Sequence, residues 1–288
     1  FGPDPINLLG VVILTSLGTW GLPQMVQKFY AIKDEKSIAK GALISTIFAI
    51  VVAGGSYFMG GFIRLYCSLN GESGKAAINI VNGKPEFDAM VPAMLDSALP
   101  DMLIGLVVVL VLSASLSTLS SLVLTSSSTL TIDMIKPKMK KMTEKKEVLI
   151  MRVLIAVFLI ISVIIASNKN ASISTLMSYS WGALSGAFLG PFLYGLFSKK
   201  VTAAACWASM ATGIGITVVH MVLFGLGLDV FSGLRQSVID MNWSLNILSP
   251  INAGAFSMIV SLIIVPLVSC FTQPPAKEVV DNAFSSIE

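Results

Sequence analysis

Seven apolar stretches follow one another along the chain, each near or above the roughly 20 residues that a helix needs to cross a bilayer. The 19 basic and 16 acidic residues all fall outside these stretches or at their very ends. A bilayer imposes this segregation, because an ionisable group in hydrocarbon is costly. The pattern predicts an all-α, polytopic membrane protein with seven spans, at about 6–27, 41–63, 102–132, 149–167, 173–197, 203–227 and 250–271.

Composition agrees with a membrane protein and excludes an ordinary soluble domain. The 288 residues are 55% hydrophobic and 12% charged, whereas soluble domains carry about 25% charged residues. We interpret residues 1–288 as a single membrane domain. Since Phe1 is not a methionine and no targeting segment precedes the first span, we expect this domain to be a fragment of a longer protein.

The lysines and arginines predict the orientation of the spans. Successive loops lie on opposite sides of the membrane, which divides them into two sets. The set formed by 28–40, 132–152, 198–202 and the tail after 271 holds 14 of the 19 basic residues, while the acidic residues divide evenly between the two sets. Loops rich in basic residues stay on the cytoplasmic side. The predicted location is therefore the cell membrane, crossed several times, with Phe1 outside and Glu288 in the cytoplasm.

The third span is unusually rich in hydroxyl groups, with twelve serines and threonines between Ser113 and Thr131. An unpaired hydroxyl in hydrocarbon costs a few kcal/mol, and we expect only one or two to bond back to the preceding turn. Two uses stay open for the others: packing against neighbouring helices, or an oxygen-lined path for a polar solute or ion.

The chemistry of this span favours a monovalent hard cation such as sodium. Divalent and soft metals prefer carboxylates, imidazoles or thiolates, and the three cysteines and His220 form no ligand cluster. Helical spacing places five positions on one face of the span. These candidate positions are Ala114, Ser117, Thr118, Ser121 and Thr125.

Two other spans carry local irregularities. Gly18, Gly21 and Pro23 fall in the second half of the first span, where they allow either a discontinuous helix that lines a site or a packed proline kink. In the fifth span, glycines recur every four residues at 182–190, which favours close helix packing.

Three segments carry a resemblance to a known family: WGLPQMVQKFYAIKDEKSIAKG from Trp20, SLSTLSSLVLTSSSTLTIDMIK from Ser115, and LMSYSWGALSGAFLGPFLYGLFSKK from Leu176. In this order and spacing they resemble the C-terminal portion of the sodium:solute symporter family, especially the branch around the bacterial sodium/proline symporter. The resemblance runs from about residue 6 to residue 271.

The resemblance implies a leucine-transporter-type fold, made of two five-helix inverted repeats. The first five spans would be the second repeat, and the last two would be the family's C-terminal helices. Family members bind sodium between a broken helix of the first repeat and the helix that matches the third span. The implied sodium ligands are the carbonyl of Ala114 and the hydroxyls of Ser117 and Thr118, completed by N-terminal helices that this chain lacks.

Substrate contacts are also implied by the resemblance, at Ser16, Thr19, Pro23, Ser178 and Trp181. The chain departs from the family's proline transporters in this region. They have a tryptophan and a tyrosine where Thr15 and Thr19 stand, and a histidine at the position of Gln24. The departure predicts a more polar pocket than the one in those transporters.

The expected function is sodium-coupled symport of a small organic solute, of amino acid or carboxylate type, by alternating access. The expected partners are that solute, sodium, the bilayer and the missing N-terminal helices of the same protein, with no nucleic acid. Since no nucleophile–base pair or cofactor motif occurs, we expect no enzyme activity and no cofactor beyond sodium as coupling ion. Two alternatives stay open: a transporter-like membrane sensor, and an incomplete half-transporter without independent activity.

Overall fold

The computed structural model describes residues 5–26, 32–68, 76–77, 80–81, 84–139, 142–167, 172–226, 228–241 and 246–285. Helices dominate these ranges. The α-helices are α1 Pro5–Ser16, α2 Pro23–Val26, α3 Glu35–Phe62, α4 Met90–Ala98, α5 Asp101–Thr129, α6 Glu144–Ser167, α7 Ile173–Phe197, α8 Ala203–His220, α9 Ser232–Asp240, α10 Pro250–Phe271 and α11 Lys277–Phe284.

Shorter elements join or extend these helices. The 3₁₀ turns are Gly18–Gly21, Ile63–Leu65, Phe87–Ala89, Lys136–Lys138 and Asp229–Phe231, and π-helical segments follow α5 at Leu130–Ile135 and α8 at Met221–Gly225. Four two-residue strands lie between α3 and α4: β1 Cys67–Ser68, β2 Ala76–Ala77, β3 Ile80–Val81 and β4 Lys84–Pro85. The first two strands pair in parallel, and the last two pair antiparallel.

The contacts divide the chain into two compact units. One comprises Phe1–Ala31 and Ile173–Glu288, and we call it the α7 unit. The other comprises Ile32–Ser172, and we call it the α5 unit. The interpretation of residues 1–288 as a single membrane domain stays a prediction.

The helical membrane character of the chain is confirmed. Within the described residues, five helices are long and apolar enough to cross a bilayer: Glu35–Phe62, Asp101–Lys138 with its π-helical end, Glu144–Ser167, Ala203–Gly225 and Pro250–Phe271. A shorter apolar helix occupies Pro5–Ser16 in the first predicted span. That the first and fifth predicted spans also cross the bilayer stays a prediction.

The core of the α7 unit is a three-helix contact among α7, α8 and α10. Gly182, Gly186 and Gly190 form a glycine ridge along α7, and this ridge makes the contact close. A Cβ added to Gly182 would lie 2.7 Å from the Cα of Gly254, and one added to Gly190 would lie 2.5 Å from the carbonyl oxygen of Ser261. Small residues that let helix backbones approach are typical of membrane interfaces. The packing interpretation of these glycines is therefore confirmed.

The one histidine of the sequence lies buried at the end of α8. Nε2 of His220 lies 2.7 Å from the carbonyl oxygen of Ile247, so the imidazole ties this helix end to the segment before α10. The ring also lies between those of Tyr179 and Phe224, at centroid distances of 5.8 and 5.0 Å. These contacts give His220 a role in helix packing.

The α5 unit has a smaller buried cluster. Ile63, Cys67 and Met94 pack together where the end of α3 meets α4. Most side chains of α3, α5 and α6 are exposed, and many of them are large and apolar. These helices thus present extensive apolar surface, as membrane-spanning segments do.

Candidate substrate and cation sites

The first predicted span is interrupted in the structure. α1 ends at Ser16, a 3₁₀ turn covers Gly18–Gly21, and Leu22 is extended, with φ −93° and ψ 113°, before α2 begins at Pro23. Proline has no N–H to continue the helix but fits the first position of a new one. The discontinuity that the glycines and Pro23 allow is therefore present.

α7 supports this interruption from one side. The hydroxyl of Ser185 is fully buried and donates to the carbonyl oxygen of Gly18 at 2.6 Å. A Cβ added to Gly21 would lie 2.8 Å from the Cα of Ser185, so the backbone of the turn rests directly on α7. Because glycine lacks a Cβ, it alone permits such a close approach.

The predicted substrate residues of the first span hydrogen-bond locally. The hydroxyl of Thr19 donates to the carbonyl of Ser16 at 2.9 Å, and the hydroxyl of Ser16 donates to the carbonyl of Val12. Both side chains are attached to the last turn of α1 and the 3₁₀ turn after it. They are hydroxyl groups beside an interrupted backbone, which is an arrangement that can bind a polar solute.

The two predicted substrate residues of α7 have different surroundings. Trp181 packs against the cluster of Leu14, Leu189 and Met258, and its Cε3 atom would lie 3.7 Å from a Cβ on Gly18. Ser178 is fully buried and donates to the carbonyl of Ser174 at 2.7 Å. Its own carbonyl lies against Gly254 of α10. The structure thus brings Trp181 beside the interruption and places Ser178 against α10.

An open cavity of about 410 Å³ lies where the interruption meets the second half of α7. Pro23 is the predicted substrate residue that lines it, and the other lining groups are mainly aromatic or apolar. A volume of this order suits a small molecule. The lining residues are Trp20, Gly21, Pro23, Val26, Phe188, Pro191 and Phe192.

Four residues at or beside the cavity are not among the predicted site residues: Trp20, Ser185, Phe188 and Phe192. Ser185 lies one helical turn after Trp181 and inside the glycine ridge, and this spacing was a usable signal. No local pattern marks the two phenylalanines, because apolar residues are common throughout α7. Only their position against the interruption distinguishes them.

The predicted sodium ligands lie in the middle of α5, in the α5 unit. Ala114, Ser117 and Thr118 are all exposed. The hydroxyl of Thr118 donates to the carbonyl of Ala114 at 3.1 Å, which brings two of the three proposed ligand oxygens together at one edge of the helix. This edge presents oxygen atoms without a formal charge.

Back-bonding within α5 is more extensive than we expected. Six hydroxyls of the serine- and threonine-rich run donate to carbonyls three or four residues earlier, at distances of 2.7 to 3.1 Å. Ser127 and Thr131 are also fully buried. The expectation of one or two such bonds was wrong, and packing or local bonding accounts for much of the run. The six donors are Thr118, Ser120, Ser126, Ser127, Ser128 and Thr131.

The fold and these features define a multi-pass helical membrane protein with an interrupted helix beside a small cavity. A model of the sodium:solute symporter family matches residues 3–213. This match covers most of the chain, and the chain belongs to that family.

Curated relatives agree with this assignment. The chain is 28% identical over 210 residues to the sodium/proline symporter of Haemophilus influenzae, covering 73% of this chain and 40% of the relative. It is 27% identical over 223 residues to the sodium/pantothenate symporter of the same organism, covering 76% and 42%. It is 28% identical over 213 residues to the osmoregulated proline transporter of Bacillus subtilis, covering 73% and 41%.

The chain therefore spans less than half the length of these relatives. All three are named as transporters and none as an enzyme. No solved structure shows a significant match to the chain. The inverted-repeat relation that the resemblance implies stays a prediction.

Proposed function

We propose that this chain is part of a sodium-coupled symporter for a small organic solute, of amino acid or carboxylate type. Its relatives carry proline or pantothenate in their names, and both solutes bear a carboxylate. Sodium binding favours the state that is open to the outside and accepts substrate. Rearrangement then exposes both solutes to the cytoplasm, where low sodium favours release.

The exposed oxygen edge of α5 is the observation that carries this proposal. At this edge the hydroxyl of Thr118 bonds to the carbonyl of Ala114, and both oxygens keep a lone pair that can coordinate a cation beside the hydroxyl of Ser117. Uncharged oxygen ligands suit a monovalent hard cation better than a divalent metal. We assign sodium to this edge, and the rest of the parent protein supplies the remaining ligands.

On the substrate side, the proposal rests on the interrupted first span. Thr19 and Ser16 provide hydroxyls at the interruption, while Pro23 and the aromatic residues of the cavity provide apolar surface. A small carboxylate with an apolar body matches this mixture of polar and apolar groups. We assign Ser16, Thr19, Pro23, Ser178 and Trp181 to the substrate region.

Uptake by the full-length parent protein tests the proposal. The purified protein is reconstituted into liposomes and given labelled proline, pantothenate and a panel of other amino acids and carboxylates. We expect at least one solute to accumulate under an inward sodium gradient and not under a potassium gradient. Equal accumulation under both gradients would contradict sodium coupling, and sodium-independent binding without transport would support a sensor.

Single substitutions on α5 test the cation assignment. Ser117→Ala and Thr118→Ala each remove one ligand oxygen, and we expect about a tenfold rise in the sodium concentration for half-maximal uptake, equivalent to about 1.4 kcal/mol. Ser126→Ala is the matched control, because Ser126 is also exposed and donates to the carbonyl four residues earlier, at 2.9 Å. It lies about 80° around the helix from Thr118. Equal effects in all three variants would remove the assignment.

A further inference from the structure

We propose that Ser185 is a positioning residue, which holds the interrupted segment of the first span in the conformation that lines the cavity. The functional consequence of this role rests on the proposed transport function. Ser185 itself does not line the cavity, so it acts through the segment that it supports.

The hydrogen bond of Ser185 reaches a carbonyl at the point where the helix is interrupted. In an α-helix, the carbonyl of Gly18 would accept from the N–H of Leu22. Leu22 is extended, and the 3₁₀ turn pairs that carbonyl with the N–H of Gly21. The hydroxyl of Ser185 donates to the same carbonyl at 2.6 Å. Gly18 and Ser185 are both buried. Because the bond is buried and its donor lies on another helix, the Ser185 hydroxyl stabilises the interrupted form beyond what the turn's own bond contributes.

A backbone contact at Gly21 connects Ser185 with the wall of the cavity. A Cβ on Gly21 would lie 2.8 Å from the Cα and 3.0 Å from the carbonyl oxygen of Ser185. Gly21 lies between Trp20 and Pro23, and all three line the cavity. A shift of the turn away from α7 would therefore move residues of the cavity wall.

Ser209 is a buried serine of the α7 unit whose hydrogen bonds do not involve the turn. Ser209 is fully buried on α8, with its hydroxyl 2.8 Å from that of Ser261 and 3.3 Å from the carbonyl of Ala187. These contacts join α7, α8 and α10 within the helix bundle. Ser209→Ala is therefore a matched control that removes a buried hydroxyl without changing the support of the turn.

The kinetic test compares Ser185→Ala, Ser185→Cys and Ser209→Ala in the full-length parent protein. We expect Ser185→Ala to raise the KM for the transported solute about fivefold, the effect of losing one buried hydrogen bond. The maximal rate per folded molecule should change little. Ser185→Cys keeps the size of the side chain with a weaker donor and should fall between Ala and the parent. In Ser209→Ala the KM should stay at the parent value, even where the Tm falls.

A second measurement does not depend on transport. Trp20→Cys is introduced into a parent lacking its other cysteines, and its rate of reaction with a water-soluble maleimide is measured with and without Ser185→Ala. We expect Ser185→Ala to change this rate and Ser209→Ala to leave it unchanged. An unchanged rate in Ser185→Ala overturns the positioning role. A changed rate in a parent without sodium-dependent uptake supports the role and overturns the proposed function.

Discussion

Hydroxyl groups on buried serines connect the helices of the α7 unit. The hydroxyl of Ser257 lies 3.1 Å from the carbonyl oxygen of Gly182 and 3.2 Å from that of Gly213, and its one proton is shared between them. The hydroxyl of Ser261 accepts from the N–H of Gly190 at 2.9 Å. Carbonyl oxygens in helices retain a lone pair for such a bond. A serine opposite a glycine thus combines close approach of two backbones with a hydrogen bond between them.

Substitution of a ridge glycine tests the close packing of α7 against α10. In Gly182→Ala the new methyl group would lie 2.7 Å from the Cα of Gly254, and backbone cannot easily move aside. We expect a loss of about 1–3 kcal/mol in stability, seen as a lower Tm of the detergent-solubilised protein.

Gly195→Ala on the same helix is the control, because a Cβ there meets no atom within 4 Å. We expect Gly195→Ala to be neutral or slightly stabilising, since alanine favours the helix. Equal changes of Tm in the two variants would show that the close contact with Gly254 does not set the effect.

At the scale of single elements, capping decides where α3 begins. Asp34 has an extended backbone, with φ −156° and ψ 162°, and its carboxylate accepts from the hydroxyl of Ser37 at 2.6 Å and from its N–H at 2.7 Å. These two bonds lower the pKa of Asp34 below its ordinary value of 3.8, with the side-chain bond the larger cause. Asp34 is thus the N-cap of α3.

Hydrogen exchange at the amide of Ser37 tests this cap. Asp34→Ala should accelerate exchange there, because the amide loses its acceptor, while Asp34→Asn should retain most of the protection. Since the pKa of Asp34 is lowered in the folded state, the contribution of the carboxylate is fully present above pH 3.8. It is lost as the pH falls through the folded value.

The difference in exchange between the parent and Asp34→Asn should therefore shrink on acidification. Mass spectrometry of the solubilised protein at several pH values measures it. Equal exchange in the parent and Asp34→Ala at neutral pH would contradict the capping role.

Many helix positions could be predicted from the sequence, but their interior details could not. Hydrophobic length places α3, α5, α6 and α10 within several residues, because burial in lipid selects long apolar segments. The interruption at Gly18–Gly21 was one of two alternatives that glycine and proline chemistry allowed, the other being a packed proline kink. The π-helical ends of α5 and α8 had no such signal, since one extra residue in a helical turn leaves composition unchanged.

At the scale of the whole molecule, the distribution of basic residues predicts which loops face the cytoplasm. The basic-rich loops include residues 28–40 and 132–152, while Asp96 and Asp101 lie in the opposite set. This prediction places Phe1 outside and Glu288 inside.

Labelling of single cysteines tests this orientation in intact cells that express the full-length parent. Asp96→Cys and Lys138→Cys are both at exposed positions in the structure. We expect a membrane-impermeant thiol reagent to label Asp96→Cys in intact cells, and Lys138→Cys only after permeabilisation. The reverse pattern would contradict the orientation, and the parent without added cysteines measures background labelling.

The sodium and substrate positions show the limits of sequence reasoning for a site. Helical period alone narrowed the cation edge to one face of α5, and the family resemblance selected Ala114, Ser117 and Thr118 within it. On the substrate side, the resemblance selected Pro23 and Trp181, which the structure places at the cavity and beside the interruption. Ser185 could not be predicted in this way, because a serine in a glycine-rich helix has several equivalent uses.

The sequence by itself determined that this is a helical membrane protein of a symporter family with a breakable first span. Those properties depend on apolar length, charge segregation and the backbone chemistry of glycine and proline, all of which are local. Only the tertiary structure decided that the carbonyl of Gly18 bonds to Ser185, 167 residues away. Such a contact depends on which helix faces pack together. Local periodicity identifies the faces of a helix, but it does not specify the neighbouring helix against which each face packs.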